Sequence, residues 1–441
     1  MQTEHHDVTI IGGGVVGTAL LYTLAKYTDI KSLMLIEKEK KVAQINSHHT
    51  KNAQTLHFGD IETHYTVKKA EKVKKAADLI AGYLENYKKD GYYKEHKIAL
   101  GAGEEEVKKI EKHFHEFKKL FPKLKLIRNK EIEKIEPLIT KGRNPKQPLA
   151  AAISEDGFAI DYSTLSSNFV KDAKKIKNKE IKINLNEKVK SIKKLKNCFL
   201  IKTNQQTLKS KILITSAGAH SLGFAHLLGL GKEFSLLTVA GSLFTSKKKV
   251  LNGKCYTLQN KKLPFSAIHG DPDVNNQNVT RFGPTAKVIP LLERHNYKTF
   301  WEFLKVSIIS PNGLISIIKI MSDKVFFKYG ITNAIYDLPV IGKWLFTKRI
   351  KKIIPSIKNS DIKRANGYGG VRPQIINTKT KNLQMGEAKI IGEKCLFNIT
   401  PSPGASVCLK TAQDDAKIIV SWLGKKYSFD EKRFLKDHKR N

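Results

Sequence analysis

Apolar and polar positions along this chain switch between two periods, and the first switch falls within the opening forty residues. Asp7-Val8-Thr9-Ile10-Ile11 is a short run rich in β-branched residues, suited to a strand covered on both faces of a parallel sheet. From about Val15 to Tyr27 the pattern is helical, and Ser32-Leu33-Met34-Leu35-Ile36 reads as a second buried strand. Between the first strand and the helix stands Gly12-Gly13-Gly14-Val15-Val16-Gly17, a G-x-G-x-x-G sequence. Gly12 permits the tight turn, Gly14 lets backbone approach a pyrophosphate, and Gly17 lets the helix pack close on the strand. Glu37 lies 20 residues beyond Gly17, where an acid receives a ribose hydroxyl. Strand, glycine turn, helix and acid in this order predict a dinucleotide site with the helix amino end facing the phosphates. NAD and FAD both satisfy it.

Beyond this unit the helical period predicts helices over 67–89, with lysines on the outer face, and over 104–120, led by three glutamates. Asn129 is expected to cap a short helix closed by Pro137, and Asp161 to cap another reaching about Lys175. A strand is expected over 149–153, with a turn at Asp156-Gly157. Residues 180–215 turn to β-rich runs, 181–185, 189–192, 198–203 and 208–215. The last of these ends in Ser216-Ala217-Gly218-Ala219, small enough for backbone to return to the cofactor. Further strands, antiparallel in character, are expected over 234–290, then helices over 297–304, 314–321 and 340–354. Strands are expected at 383–385 and 396–399, and a helix from Pro403-Gly404-Ala405-Ser406 to about Leu423 would aim a second amino end at the cofactor. The residues beyond Lys425 read as a solvated basic tail.

Length and charge sharpen this picture. A chain of 441 residues exceeds one ordinary core, which predicts two domains built from interleaved segments. Lys and Arg number 79 against 41 Asp and Glu, a formal +38, which favours anionic partners. The lysines are scattered and no aromatic-rich RNA-binding signature accompanies them, so no specific nucleic acid is expected. Cys198, Cys255, Cys395 and Cys408 have no C-x-x-C pairing, which predicts reduced thiols and no structural zinc. His48, His49 and His57 lack an acidic partner in a metal-ligand spacing, and no metal is expected there. The early first strand leaves no room for a signal peptide, and no apolar run is long enough to span a bilayer, so a cytoplasmic location is expected. Residues 340–354 interleave Ile341, Trp344, Leu345 and Ile350 with five lysines and arginines. Such a stretch packs on a core or lies on an anionic membrane surface.

Four longer stretches carry a resemblance: Asn52-Ala53-Gln54-Thr55-Leu56-His57-Phe58-Gly59-Asp60-Ile61-Glu62-Thr63, His269-Gly270-Asp271-Pro272, Arg281-Phe282-Gly283-Pro284-Thr285-Ala286-Lys287 and Gly369-Gly370-Val371-Arg372-Pro373-Gln374. With the amino-terminal unit ending in Glu37-Lys38, the chain resembles the FAD-dependent malate:quinone oxidoreductases. That family sits in a broader group with D-amino-acid oxidase, glycerol-3-phosphate dehydrogenase and L-2-hydroxyglutarate dehydrogenase. The resemblance implies an α+β fold, in which a Rossmann-like FAD-binding domain (1–85, 150–235, 365–425) interleaves with a substrate domain on a largely antiparallel sheet (86–149, 236–364), and 426–441 form the tail. It implies FAD with Gly12, Gly14 and Gly17 at the pyrophosphate and Glu37 and Lys38 at the ribose end. Asn52, Gln54 and Thr55 would lie near the isoalloxazine, Val189 at the adenine, and Gly218, Gly404, Ala405 and Ser406 along the flavin. The implied reaction is oxidation of malate to oxaloacetate, with quinone as acceptor and the enzyme peripheral on the inner face of the cytoplasmic membrane. Other 2-hydroxy acids, an amine substrate, and a flavoprotein acting mainly as a nucleic-acid or membrane-surface binder are the rivals.

Such a reaction requires a base for the substrate hydroxyl and clamps for its carboxylates. Arginine matches a carboxylate with two parallel hydrogen bonds, which marks Arg281 and Arg372. An imidazole accepts a proton at neutral pH, which marks His269 first and His57 second, with Asp271 placed to orient His269.

Overall fold

Three sheets divide the chain in the computed structural model, which describes residues 4–259, 267–384, 388–401 and 403–440. The first is built on β1 (Glu4–Ile11), flanked in parallel by β2 (Ser32–Ile36) and β9 (Thr207–Thr215). β6 (Glu180–Asn184) extends it beyond β2, and β20 (Cys395–Ile399) with β19 (Ala388–Gly392) beyond β9. The hairpin of β7 (Val189–Lys194) and β8 (Phe199–Thr203) hangs from β9. Helix α1 (Val15–Tyr27) is buried around nearly its whole circumference, because it packs against α6 (Tyr162–Lys174) and α12 (Cys408–Leu423) as well as the sheet. This parallel sheet with its glycine turn places the amino end of α1 at the carboxyl edge of the strands, the position where open α/β sheets bind ligands.

The second sheet has the order β15 (Lys287–Val288), β10 (Phe234–Ala240), β17 (Val371–Asn377), β18 (Asn382–Gln384), antiparallel throughout. The third contains β16 (Ile362–Arg364), β11 (Phe244–Ser246), β14 (Asn276–Gly283), β13 (His269–Asp273), β12 (Lys254–Thr257), β3 (Tyr92–Ala102), β5 (Leu149–Ile160) and β4 (Lys125–Arg128) in that order. Only its β12 and β3 run parallel. The remaining helices are α2 (Val67–Asn86), α3 (Glu104–Phe117), α4 (Asn129–Ile135), α5 (Pro137–Thr140), α7 (His220–Leu227), α8 (Phe300–Ser307), α9 (Pro311–Ser322), α10 (Lys324–Ile335), α11 (Ile341–Ile350) and α13 (Glu431–Asp437). The mixed architecture is the α+β class expected.

The structure departs from the sequence reading at several points. Asp156-Gly157 is no chain reversal: β5 runs straight through it, and a register shift against β3 absorbs the irregularity. β5 was placed with residues 150–235, but it pairs with β3 and β4 in the third sheet. β17 and β18, placed with 365–425, pair with β10 rather than with the first sheet. Asn129 is the first residue of α4 rather than its cap; its amide bridges Leu149 N at 3.0 Å, and Glu131 receives Arg128 N at 3.0 Å. Asp161 does cap α6, accepting from Ser163 N at 2.8 Å.

The tail is docked on the fold through a few buried residues while its other side stays exposed. Thr28 bridges Phe429, and α13 buries Phe434 and His438 against Tyr22 and Tyr27 of α1. Arg440 then reaches Asp156 at 2.6 Å. β3, β4, β16, β17, β19, α5 and α10 escaped prediction; α10 is apolar on two faces and so carries no single stripe. The apolar residues of 340–354 split between two fates: Phe346, Ile350, Ile353 and Ile354 enter a core, while Ile341 and Trp344 stay exposed. The third residue of the strand expected at 383–385, Met385, lies outside the described residues.

Candidate active site

A cavity of about 720 Å³ runs from the glycine turn past the second sheet to β13. At its nucleotide end Gly12 has φ +109°, and a Cβ there would stand 2.5 Å from Ser216 O. Gly17 lets α1 close on the turn, since a Cβ would lie 2.0 Å from Gly12 O. Gly14 faces the cavity, and its nearest obstruction to a Cβ is Ser47 Oγ at 3.3 Å, a hydroxyl that also takes the Val15 N–H at 3.0 Å. Glu37 lines the cavity and its carboxylate accepts Gly13 N at 2.6 Å and Glu39 N at 2.9 Å. Burial raises its pKa against the opposing effect of those two N–H groups. Lys38 lies beside it, engaged with Glu293. Glu293 also receives His220 at 2.8 Å, so a ring of charged groups closes this end.

Val189, Gly218, Gly404, Ala405 and Ser406 all line the same cavity. Gly218 adopts φ +59° with nothing nearer to a Cβ than Asn46 Nδ2 at 3.8 Å, and Gly404 opens a tight turn before α12. An adenine dinucleotide with an extended flavin fits this set: a glycine cradle at a helix amino end, a buried carboxylate beyond the second strand, and small residues along the path.

The loop after Asn46 is held by its own side chains. Asn52 Nδ2 donates to Asn46 O and His48 O, and its Oδ1 accepts Gln54 N at 2.9 Å. Gln54 takes φ +53°, donates to His49 O and Asp273, and accepts Val274 N at 2.8 Å. Thr55 Oγ1 donates to Ala53 O at 2.9 Å. These bonds fix the shape of the loop, and Asn52, Gln54 and Thr55, the residues expected near the isoalloxazine, all line the cavity.

Arg281, expected as a substrate clamp, is placed elsewhere. It does not line the cavity: it is 1% exposed, paired with Asp271 and 3.6 Å from Asp273, and its other donors go to Asn52 O at 3.3 Å and Ala53 O at 3.2 Å. Lys254 Nζ reaches the same Ala53 O at 3.0 Å and Asp271 at 3.1 Å. A guanidinium so engaged holds the loop from behind.

Arg372 is different. It lines the cavity, burial depresses its pKa, and among the described residues no carboxylate stands within ion-pair distance of it. His57 and His269 line the same space, with the buried Tyr256 ring between them, 6.4 Å from one and 4.7 Å from the other. His57 Nδ1 lies 2.6 Å from Glu62 Oε1. Burial is the largest single effect and would raise the Glu62 pKa, but the His57 hydrogen bond and charge, together with Lys97 and His64, outweigh it and hold the pKa at about 2. His269 is 4% exposed, and its Nε2 is 3.9 Å from Asp271, too far for the orienting bond expected. Burial, then Lys254, Arg281 and Arg372, hold its pKa well below the usual range.

Glu62 was missed although it stands in the same quoted stretch, five residues after His57. Its acidity and that short separation were the available signal. Tyr256, Lys254 and Asn46 carried none. Among the described residues no three metal-ligating side chains cluster.

Comparison with known proteins agrees with this geometry. The FAD-bound L-alpha-glycerophosphate oxidase of Mycoplasma pneumoniae superposes with a TM-score of 0.65 at 19% identity, over 95% of each chain. Relatives from Campylobacter jejuni, described as a probable malate:quinone oxidoreductase, and from Helicobacter pylori strain 26695, described as malate:quinone oxidoreductase, are 41% and 38% identical. The alignments cover 98% of this chain and 99% and 97% of theirs. Residues 4–421 match the family described as malate:quinone oxidoreductase, and the chain belongs to that family.

Proposed function

We propose that His57, positioned by Glu62, is the base of this site and that Arg372 holds a substrate carboxylate. The reaction is that of the family: malate is oxidised to oxaloacetate through FAD and the electrons pass to quinone. FAD bound along the glycine turn supplies the acceptor for the hydride that leaves C2. The observation that carries the assignment is Arg372, a half-buried arginine on the cavity wall with no carboxylate partner among the described residues. An arginine in that state is stabilised by a bidentate anion, and a 2-hydroxy acid provides one.

A carboxylate only accepts, so the bond to Glu62 puts the proton of a neutral His57 on Nδ1 and leaves the Nε2 lone pair for the substrate hydroxyl. When Nε2 takes that proton, Glu62 compensates the new charge. His269 sits among three cations that oppose its protonation, so it suits hydrogen bonding to substrate rather than proton uptake. Anaerobic bleaching of the flavin by L-malate, reversed by a soluble quinone, tests the reaction. His57→Ala should slow bleaching by about 10²–10⁴, the usual worth of a general base. Normal bleaching in His57→Ala with loss in His269→Ala would return the role to His269.

A second observation bears on the acceptor. Residues 297–344 expose Trp301, Ile309, Ile318, Phe327, Val340 and Trp344, and lysines interleave them. No single described helix is long and apolar enough to cross a bilayer; the most apolar pair, 297–307 with 311–322, is bent by 104°. A bent, basic, apolar face fits peripheral docking on an anionic bilayer, where quinone resides. Vesicle flotation tests it. Phe327→Glu with Trp344→Glu should release the protein from vesicles containing phosphatidylglycerol, and unchanged flotation would refute the docking face.

A further inference from the structure

The cavity wall beside Arg372 continues into a group of cations that the chemistry above leaves unused. Gly241 follows the end of β10, Gly369 and Gly370 precede β17, and all three line the cavity. A Cβ on Gly369 would meet Gly241 O at 1.9 Å and Arg294 Nη1 at 2.2 Å, and one on Gly370 would meet Lys51 O at 2.6 Å. The glycines leave room for two cations. Lys51 lines the cavity and donates Nζ to Gly367 O. Arg294 donates to Gly241 O, and to Ser242 Oγ at 2.6 Å.

Arg364 and Lys287 stand behind them, and both pair with Asp337. Arg294 feels the charge of Asp337, but that carboxylate is spent on Arg364 and Lys287. Among the described residues neither Lys51 nor Arg294 has a carboxylate within ion-pair distance. Burial and then Arg294 depress the pKa of Lys51, and after burial all four cations depress that of His295. Partly buried like charges without a counter-ion destabilise a fold until an anion joins them.

We propose that Lys51, on the cavity wall with Arg294 behind it, receives the second carboxylate of a dicarboxylate substrate whose first carboxylate is held by Arg372. The proposal rests on the Arg372 assignment above and adds the selection of diacids over monoacids. A monoacid would fill the Arg372 end and leave Lys51 and Arg294 uncompensated, so discrimination arises from the unpaired cations. The phosphates of the cofactor offer the same anionic oxygens, and the test separates the two sources.

Succinate and butyrate, a diacid and a monoacid that cannot be oxidised at a missing hydroxyl, are titrated into the FAD-loaded enzyme while the flavin spectrum is followed. Lys51→Met should raise the succinate Kd about tenfold or more, as expected for loss of one charged hydrogen bond, and Arg294→Met should raise it by less, each leaving that of butyrate within about threefold. Lys51→Arg should restore most of the difference. An unchanged ratio of succinate to butyrate affinity in both variants overturns the proposal. So does a rise in the FAD dissociation constant with that ratio preserved, which would assign the cations to the phosphates. Arg372→Met separates the underlying reading: it should weaken both acids, and if it weakens neither, the Arg372 assignment fails independently of Lys51.

Discussion

Glu95 offers a quantitative check on the charges packed behind the Asn52–Thr55 loop. Its carboxyl is 8% exposed, and its Oε2 has no hydrogen-bond partner among the described residues. Around it Lys97 pairs with Asp60 at 2.9 Å, Lys254 with Asp271 at 3.1 Å, and Arg281 with Asp271 and Asp273. Three cations meet three carboxylates, so the cluster is neutral when Glu95 keeps its proton. Burial drives the Glu95 pKa from 4.5 to about 8, with Lys254 opposing. Between those values the folded protein holds a proton that the unfolded chain has released, so stability falls as pH rises through that window. The displacement corresponds to at most about 5 kcal/mol. Glu95→Gln has no proton to lose. Urea midpoints of wild type and variant, compared from pH 5 to pH 8, should diverge in favour of the variant by about 2–5 kcal/mol at the alkaline end. A constant difference across that range would refute the buried neutral carboxyl, and a variant that lost ground with rising pH would show that the cluster needs the negative charge.

Three further outcomes are expected. Glu62→Gln keeps an acceptor for His57 Nδ1 but removes the charge, so malate should bleach the flavin about ten- to hundredfold more slowly with FAD still bound, the worth of one charge-assisted hydrogen bond; an unaltered rate would separate Glu62 from the chemistry. Gly17→Ala would set a Cβ 2.0 Å from Gly12 O, and purified protein should lack flavin absorbance; normal absorbance would refute the close packing. Phe434→Ala empties a fully buried site against α1 and should cost about 3–5 kcal/mol in chemical denaturation, whereas a loss below about 1 kcal/mol would mean that α13 is dispensable.

The parts of the molecule that local physics governs were legible. The glycine turn, α1, β2 and Glu37 needed only period and spacing, and the β-rich runs between 180 and 215 were marked by their own composition. The errors came where partners are distant. Arg281 and Arg372 look alike in the sequence, each set among glycine and proline, but the fold surrounds one with Asp271 and Asp273 and leaves the other facing the cavity. His269 and His57 differ in the same way, through cations and a carboxylate brought in by other elements. The tail was misjudged because Phe434 and His438 are covered by α1, from the opposite end of the chain. Which strand joins which sheet was equally hidden, since β5 carries nothing in its own residues that favours β3 over the nucleotide sheet.

The position of β1 has a consequence for how the protein comes into being. Its neighbour on one side is β2, available almost at once, but on the other Glu4 pairs with Leu208, and the helix covering α1 begins at Cys408. The nucleotide cradle is therefore translated early and completed late. During synthesis the half-built βαβ unit presents an open parallel strand edge until β9 emerges and an incompletely covered helix until α12 emerges, and contacts of such sequence separation form slowly. Yield in a cell should then depend on chaperone supply and elongation rate more steeply than on equilibrium stability.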